Sequence, residues 1–182
     1  MVRQFIDALE KVGGRVVQFA DLDGVATYVA DHVTGSVLLP PCPSLVRNDL
    51  AGRLRAAGLE VVADDFRRLA PAAAAGLTGA NFAIAATGTV VLESTAEALR
   101  LATTLPATHF VLLDPRKIVA DSSAAVPLLR QLHHGLPQAY LAYITGPSRT
   151  ADIERVLTIG VHGPKALHVL LCDGVSADVL ES

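Results

Sequence analysis

The chain has too few cysteines, too little positive charge and too short apolar runs for several large classes of protein. Its two cysteines are Cys42, in Pro40-Pro41-Cys42-Pro43, and Cys172, at the end of an apolar run, and they lack the paired spacing that holds zinc or an iron–sulfur cluster. The chain is therefore expected to carry no cluster of its own, and buried or idle thiols are expected in a cytoplasmic protein. Lys and Arg number 15 against 18 Asp and Glu, a net charge of −3 with a pI near 6.0. No surplus of cations is left to neutralise a phosphate backbone, so nucleic acid is not an expected partner. The residues are 51% apolar, yet no window supplies the roughly eighteen uninterrupted apolar residues of a membrane span. Asp7 falls where a secretory peptide would be apolar, so no targeting segment is expected and the protein is read as cytoplasmic.

Signature loops are missing too. There is no Gly-x-Gly-x-x-Gly, no Walker loop with its lysine and no nucleophile elbow, which removes the sequence support for a dinucleotide enzyme, an NTPase or an α/β-hydrolase. No cofactor is expected. The six histidines include no His-x-x-x-His pair that would set ligands on one helical face, and no metal site is expected. His133 and His134, beside Gly135, suit a solvated helix end. Arg47, Arg53 and Arg55, and Arg67 with Arg68, read as solvated faces of helices with acids nearby.

What is present is alternation. Helical stretches and short β-type runs follow one another along 182 residues, with no Pro/Gly/Ser-rich spacer and no internal repeat, which predicts one α/β domain spanning 1–182. Phe5, Ile6, Leu9 and Val12 fall at helical spacing in Val2 to Val12, and Gly13-Gly14 ends that helix. A strand Arg15 to Phe19, a helix Leu22 to Val33, a strand Ser36 to Leu39 and a rigid turn Pro40 to Pro43 follow. A helix Leu45 to Ala57 stops at Gly58, a strand covers Leu59 to Ala63, and the alanine tract carries a further helix through Asp64 to Ala75.

Two short β-runs, Phe82 to Ala85 and Val90 to Leu92, meet at Ala86-Thr87-Gly88-Thr89 as a hairpin, so the sheet is expected to be mixed. The series continues with a helix Ala96 to Thr103, a strand His109 to Leu113, a helix Ser122 to His134 and a strand Ala139 to Thr145. A short helix from Asp152 and a strand Leu167 to Leu171 close it.

Two segments carry a family resemblance: Gly76-Leu77-Thr78-Gly79-Ala80-Asn81-Phe82-Ala83-Ile84-Ala85-Ala86-Thr87-Gly88-Thr89-Val90-Val91-Leu92, and Ile144-Thr145-Gly146-Pro147-Ser148-Arg149-Thr150-Ala151-Asp152-Ile153-Glu154. Leu105 to His109 and Gly160 to Val169 fit the same pattern in the same order. Over roughly Gly76 to Leu171 the chain resembles the lactate-utilisation protein C, or LUD-domain, family. That resemblance implies a mainly parallel, mixed α/β sheet with helices on both faces, similar to the ribose-phosphate isomerase, glucosamine-phosphate deaminase and CoA-transferase group. It also implies a part in bacterial oxidation of L-lactate beside iron–sulfur oxidoreductase subunits. The chain departs from the family pattern at Asn81 and Ala86, where the resemblance implies acids, so a mechanism resting on those carboxylates does not carry over.

On physical grounds the best candidate site is the turn after the strand that ends at Thr145. A helix beginning just beyond Thr150 at a strand's carboxyl end would present free N–H groups, and Ser148, Arg149 and Thr150 could then hold a small carboxylate or phosphate. Thr150 as a plain helix cap, with Arg149 paired to Asp152 or Glu154, accounts for the same residues. Thr87, Gly88 and Thr89 could orient a polar ligand, or form a hairpin whose glycine supplies a positive φ. Glu93 is the candidate nucleophile or base, or else an exposed acid at a strand end. His162 is the candidate for acid–base or ligand contact, or else an idle loop histidine.

Two functions remain: an accessory component of a lactate-oxidising assembly that binds a small anion or partner, and a free-standing enzyme on a CoA-transferase-like fold. A symmetric homodimer is the commonest assembly for such a domain.

Overall fold

A computed structural model describes residues 1–134, 139–151 and 157–180. The first helix, α1 (Val2–Lys11), buries Phe5 and Leu9 completely, each such burial contributing about 2–3 kcal/mol. It ends as Gly13-Gly14 predicts. Gly13 has φ 84°, its N–H donates to Glu10 O at 3.0 Å and that of Gly14 to Leu9 O at 3.0 Å, the paired bonds of a Schellman stop. The chain then enters β1 (Arg15–Phe19) and α2 (Leu22–His32), which Asp21 caps by accepting from Gly24 N at 2.8 Å. Strand β2 (Ser36–Leu38) leads to α3 (Pro43–Arg47) and α4 (Leu50–Ala56).

The predicted single helix over 45–57 is thus two. Asn48 turns its side chain onto Ser44 O at 2.8 Å, and Asp49, at φ 47°, caps α4 through Gly52 N at 3.2 Å. Side-chain bonds to nearby backbone compete here with helix continuation.

Next come β3 (Glu60–Val62), the single turn α5 (Phe66–Leu69), a 3-10 turn at Ala70–Ala72 and β4 (Ala75–Gly79). The helix predicted through Ala75 is the main error of local reading. Pro71 allows only the 3-10 turn, and Ala75 and Gly76 pair with Val37 and Leu38 on one side and Thr108 and His109 on the other. Tertiary pairing overrides alanine's helix propensity. At Gly76 a Cβ would lie 1.9 Å from Ala102 O, so a strand this close to a helix admits no side chain there.

The predicted hairpin is β5 (Phe82–Ile84) and β6 (Thr89–Glu93), antiparallel. Helix α6 (Glu97–Thr104), β7 (Thr108–Leu113), a 3-10 turn at Pro115–Lys117, the two-residue β8 (Ile118–Val119) and α7 (Ser122–His133) follow. The described elements close with β9 (Leu141–Ile144), β10 (Arg149–Ala151), β11 (Leu157–Ile159) and β12 (Ala166–Cys172).

Six strands form a wholly parallel sheet in the order β1-β12-β7-β4-β2-β3. The antiparallel character expected from the hairpin is segregated into a second sheet, β8-β5-β6-β9, and a separate β10-β11 pair. One face of the parallel sheet presents Leu77, Phe110, Leu112 and Leu170 to Val25 and Val29 of α2, Leu45 of α3 and Leu50 and Leu54 of α4. The other presents Val111, Leu113, Val169 and Leu171 to Phe5 and Leu9 of α1 and to Ala83, Val90 and Leu92 of the second sheet. The hairpin's alternate residues, Phe82, Ile84 and Val91, point away to Ala125 and Leu132 of α7. Helices therefore cover both sides, and period-two alternation lets one hairpin serve two cores. Among the described residues no helix is long and apolar enough to cross a membrane.

Candidate functional site

A cleft of about 480 Å³ opens where β7 and β12 begin, lined by Thr103 and Thr104 of α6, His109, Tyr143, Thr145, Ser148, Arg149, His162 and Leu167. His109 and Leu167 are the second residues of their strands and lie level with each other. The cleft is thus at the amino-terminal edge of the parallel sheet, which corrects the expectation of a carboxyl-end site. Strand order explains it: β9 runs antiparallel to β6 in the second sheet, and its end returns the chain to the edge where β7 starts.

The turn after β9 is also built differently from the expectation. Arg149 to Ala151 is a strand paired with Leu157 to Ile159, Thr150 standing level with Thr158, so Thr150 caps no helix there. Residues with β-branched side chains favour that extended pairing. The predicted helix from Asp152 lies outside the described residues, as do Asp152 and Glu154 as partners for Arg149. Two backbone donors of the turn region are already used: Ser148 N donates to Pro164 O at 2.9 Å and Gly160 N to Ser148 O at 2.9 Å.

Arg149 has a structural duty that the sequence did not suggest. Its Nη2 donates to Val12 O, the carbonyl that ends α1, placing a cation at the negative end of the helix. A Cβ at Gly13 would lie 2.6 Å from that nitrogen, so glycine both turns the chain and makes room for the guanidinium. The rest of Arg149 is exposed at the cleft rim.

The Thr87-Gly88-Thr89 turn adjoins the same region from behind. Gly88 has φ 64° and packs so tightly on α1 that a Cβ would lie 2.3 Å from Leu9 N. Thr87 Oγ1 bonds Thr89 Oγ1 at 2.7 Å, and Thr89 Oγ1 bonds Thr145 Oγ1 at 2.8 Å. A line of hydroxyls therefore joins the two predicted turns, with Thr145 the member that reaches the cleft. His162 lies on the cleft rim and is exposed.

Glu93 is not part of this group. Four residues of extended chain separate it from Thr89, roughly 13 Å, and it sits at the other end of the second sheet, level with Leu141. It is buried, with 3% exposure, which corrects the reading as an exposed acid. Its carboxylate accepts from Thr95 N at 2.9 Å and from the Thr95 hydroxyl, and its own N–H donates to Asn81 Oδ1 at 2.6 Å.

Asn81 in turn donates from Nδ2 to Val179 O at 2.6 Å. Nearby, Lys117 Nζ donates to Ala80 O at 2.9 Å, and Asp114 accepts from Arg116 Nη2 at 2.7 Å and Ser176 N at 3.2 Å. The carboxyl end of the sheet is thus a buried polar layer strapped by Val175 to Val179. Burial opposes the ionisation of Asp114, but the Arg116 and Ser176 hydrogen bonds and the Arg116 charge win, holding its carboxyl below the usual range. Ala86 is exposed and gives its N–H to Ala120 O at 3.0 Å.

His109 is the site residue that sequence reasoning missed. It is fully buried, and its Nε2 is 2.9 Å from Thr78 Oγ1, while Nδ1 has no hydrogen-bond partner among the described residues. Burial pushes its pKa down to about 3, so the ring is neutral near pH 7. The one available signal was a polar residue opening an otherwise apolar strand, His109-Phe110-Val111-Leu112-Leu113. Cys42 and Cys172 are both buried, and among the described residues no group of three or more His, Cys, Asp or Glu could hold a metal ion.

An α/β domain of this kind, a parallel six-stranded sheet backed by a second small sheet, is also the fold of a DUF162 family protein from Deinococcus radiodurans. The two superpose with a TM-score of 0.65 at 18% identity over 94% of this chain and 95% of that one. The chain belongs to the LUD domain family, whose profile matches residues 2–172. It is 39% identical over 109 residues to an uncharacterized protein of Neisseria meningitidis serogroup B, covering 59% of this chain and 46% of that protein. It is likewise 39% identical over 101 residues to lactate utilization protein C of Bacillus subtilis, covering 54% of this chain and 42% of the relative. The matched region spans less than half the length of either relative.

Proposed function

We propose that this chain serves in bacterial utilisation of L-lactate, as an accessory component that works beside iron–sulfur oxidoreductase subunits and holds a small anion in the amino-edge cleft. The observation that carries the reading is the 39% identity to lactate utilization protein C. The chemistry of the cleft supports the anion. Arg149 has five N–H donors, of which Val12 O takes one, and its exposed side offers the planar fork that matches a carboxylate. Thr145 and Ser148 add hydroxyls and His162 a second basic group on the rim. Leu167 and Ile144 line the same cleft and would shelter the carbon skeleton. The chain's own part is to bind and orient; electrons pass to the partner subunits.

Calorimetric titration with L-lactate, pyruvate and inorganic phosphate tests the anion. Arg149→Ala weakens binding by about 1.5–3 kcal/mol, the scale of hydrogen bonds to a charged group, and Arg149→Lys recovers part of it. A thermal melt confirms that each variant is folded, since Arg149 also caps α1. Equal affinity in all three proteins overturns the site. The cellular role is tested by deleting the gene: growth on L-lactate is lost and growth on pyruvate retained. Undiminished growth on L-lactate refutes the role.

A further inference from the structure

We propose that His32 and His168 together bind a divalent transition-metal ion of the copper or zinc kind, on the face of the parallel sheet opposite the cleft.

Period-two alternation assembles the pair. His109 and Leu167 line the cleft, and Phe110 and His168, each one residue further along its strand, stand level with each other and turn to the other face, toward α2. There His32, in the last turn of α2, meets His168 with ring centres 5.6 Å apart and planes at 77°. One histidine comes from a helix and the other from a strand, so a search for His-x-x-x-His spacing does not find them.

Tyr28 orients both rings. Its carbonyl accepts from His32 Nδ1 at 2.8 Å, and because a carbonyl only accepts, the neutral ring keeps its proton on Nδ1 and its lone pair on Nε2. The Tyr28 hydroxyl lies 3.1 Å from His168 Nδ1, and by accepting there it leaves His168 Nε2 its lone pair as well. Metal-ligating histidines are held in this way, through the nitrogen that does not bind the ion. Neither Nε2 has a hydrogen-bond partner among the described residues. His32 is exposed, and His168 Nε2 is not shut off from solvent as His109 Nδ1 is, so an ion can reach both.

Charge and distance set the rest. The unpaired carbonyls where α2 ends at His32 favour a cation, while Arg15, level with His168 on β1, opposes one. Two imidazoles select copper, nickel or zinc over calcium or magnesium, and Cu²⁺ binds most tightly of these. With metal–nitrogen bonds of about 2 Å, two rings sharing an ion across a tetrahedral angle have centres about 5 Å apart, so the exposed His32 ring has only a small movement to make. Among the described residues no third His, Cys, Asp or Glu joins the pair, and water fills the remaining positions.

Calorimetric titration of the protein with copper(II), zinc and calcium chlorides tests the site. One equivalent of copper is expected to bind, more tightly than zinc, and calcium not at all. His32→Gln weakens copper binding at least tenfold, Arg15→Gln tightens it, and a His133→Gln, His134→Gln double variant leaves it unchanged, with thermal melts confirming that each protein is folded. Electron spin-echo modulation of the wild-type copper adduct counts two imidazole ligands, a readout that does not depend on any variant folding. Absence of copper binding, an affinity unchanged in His32→Gln, a single imidazole on the ion, or binding lost in the double variant overturns the site.

Discussion

Lowering the pH from 7 to 5 destabilises this fold by about 2 kcal/mol through His109 alone, relative to a chain without that histidine. In the folded protein burial holds the pKa of His109 down to about 3, against an ordinary value of 6.5. Between those values the unfolded chain binds a proton that the folded chain refuses, and stability falls with falling pH wherever the unfolded state is the better proton acceptor. The stability is therefore fully present above pH 6.5 and is lost progressively from there down to about pH 3. Each pH unit inside that window corresponds to about 1.4 kcal/mol. The interval from 7 to 5 lies mostly inside it, which gives about 2 kcal/mol after allowing for the partial protonation of the unfolded chain at pH 7.

His168 works in the same direction. Its pKa is lowered to about 4 by burial first and by the nearby Arg15 and His32 charges second, but the residue is only half-buried and solvent screening reduces its effect. Urea denaturation at pH 7, 6 and 5 of the wild type and of His109→Leu isolates the His109 share, since His168 is common to both. The variant loses less stability on acidification by about 2 kcal/mol, with m unchanged. Parallel pH profiles for the two proteins would refute the reasoning. So would a direct titration that finds His109 protonated near pH 6.

Gly88→Ala destabilises by roughly 2–4 kcal/mol, combining a left-handed backbone with a forced shift of α1, whereas Gly58→Ala, at φ 90° but with nothing within 4 Å of the added carbon, loses only about 1 kcal/mol; urea midpoints compare them, and equal losses defeat the packing argument. Asp114→Ala removes the acceptor for Ser176 N and Arg116 and destabilises by about 2–3 kcal/mol, with hydrogen exchange at the Ser176 amide accelerating more than exchange in α1. Uniform acceleration would show that the strap is not held there. Arg67→Ala changes stability by less than about 0.5 kcal/mol, because its 2.8 Å pair with Glu97 is largely exposed; a larger loss in a thermal melt contradicts the assignment of that cluster to a solvated face.

Elements that hold their own period were legible in the sequence. The α1 helix shows helical spacing and a glycine stop, and β1, β7 and β12 are apolar runs bounded by turns; their observed limits lie within a residue or two of the expectation. Strand β4 was not, because Ala75-Gly76-Leu77-Thr78-Gly79 is composed of small residues whose extended state is imposed by two neighbouring strands and by α6 lying against Gly76. The candidate site was legible only in part, since Thr87, Gly88, Thr89, Thr150 and Glu93 do not line the cleft. Ser148, Arg149 and His162 do line one cleft, but the sequence does not reveal to which end of the parallel sheet a strand of a second, antiparallel sheet returns the chain. Glu93 shows the same difficulty from the other side. Its strand delivers it to the opposite end, where Asn81 and Thr95 enclose it.

The same topology explains how two turns far apart in the sequence adjoin: they lie at the ends of β6 and β9, which pair antiparallel with Val90 level with Ile144. Each rests on the last turns of α1. Gly88 approaches the backbone of Leu9, and a Cβ at Gly146, φ 82°, would lie 2.6 Å from Val12 O. Arg149 then closes the arrangement by donating to that same Val12 carbonyl. Glycine at the two contact points lets the turns approach a helix backbone more closely than any side chain permits. The hydroxyl line from Thr87 through Thr89 to Thr145 forms in the space so created. The N-terminal helix contributes no side chain to the cleft lining, yet it is the surface against which both turns are set. The position of Arg149 at the rim is therefore a consequence of how α1 ends.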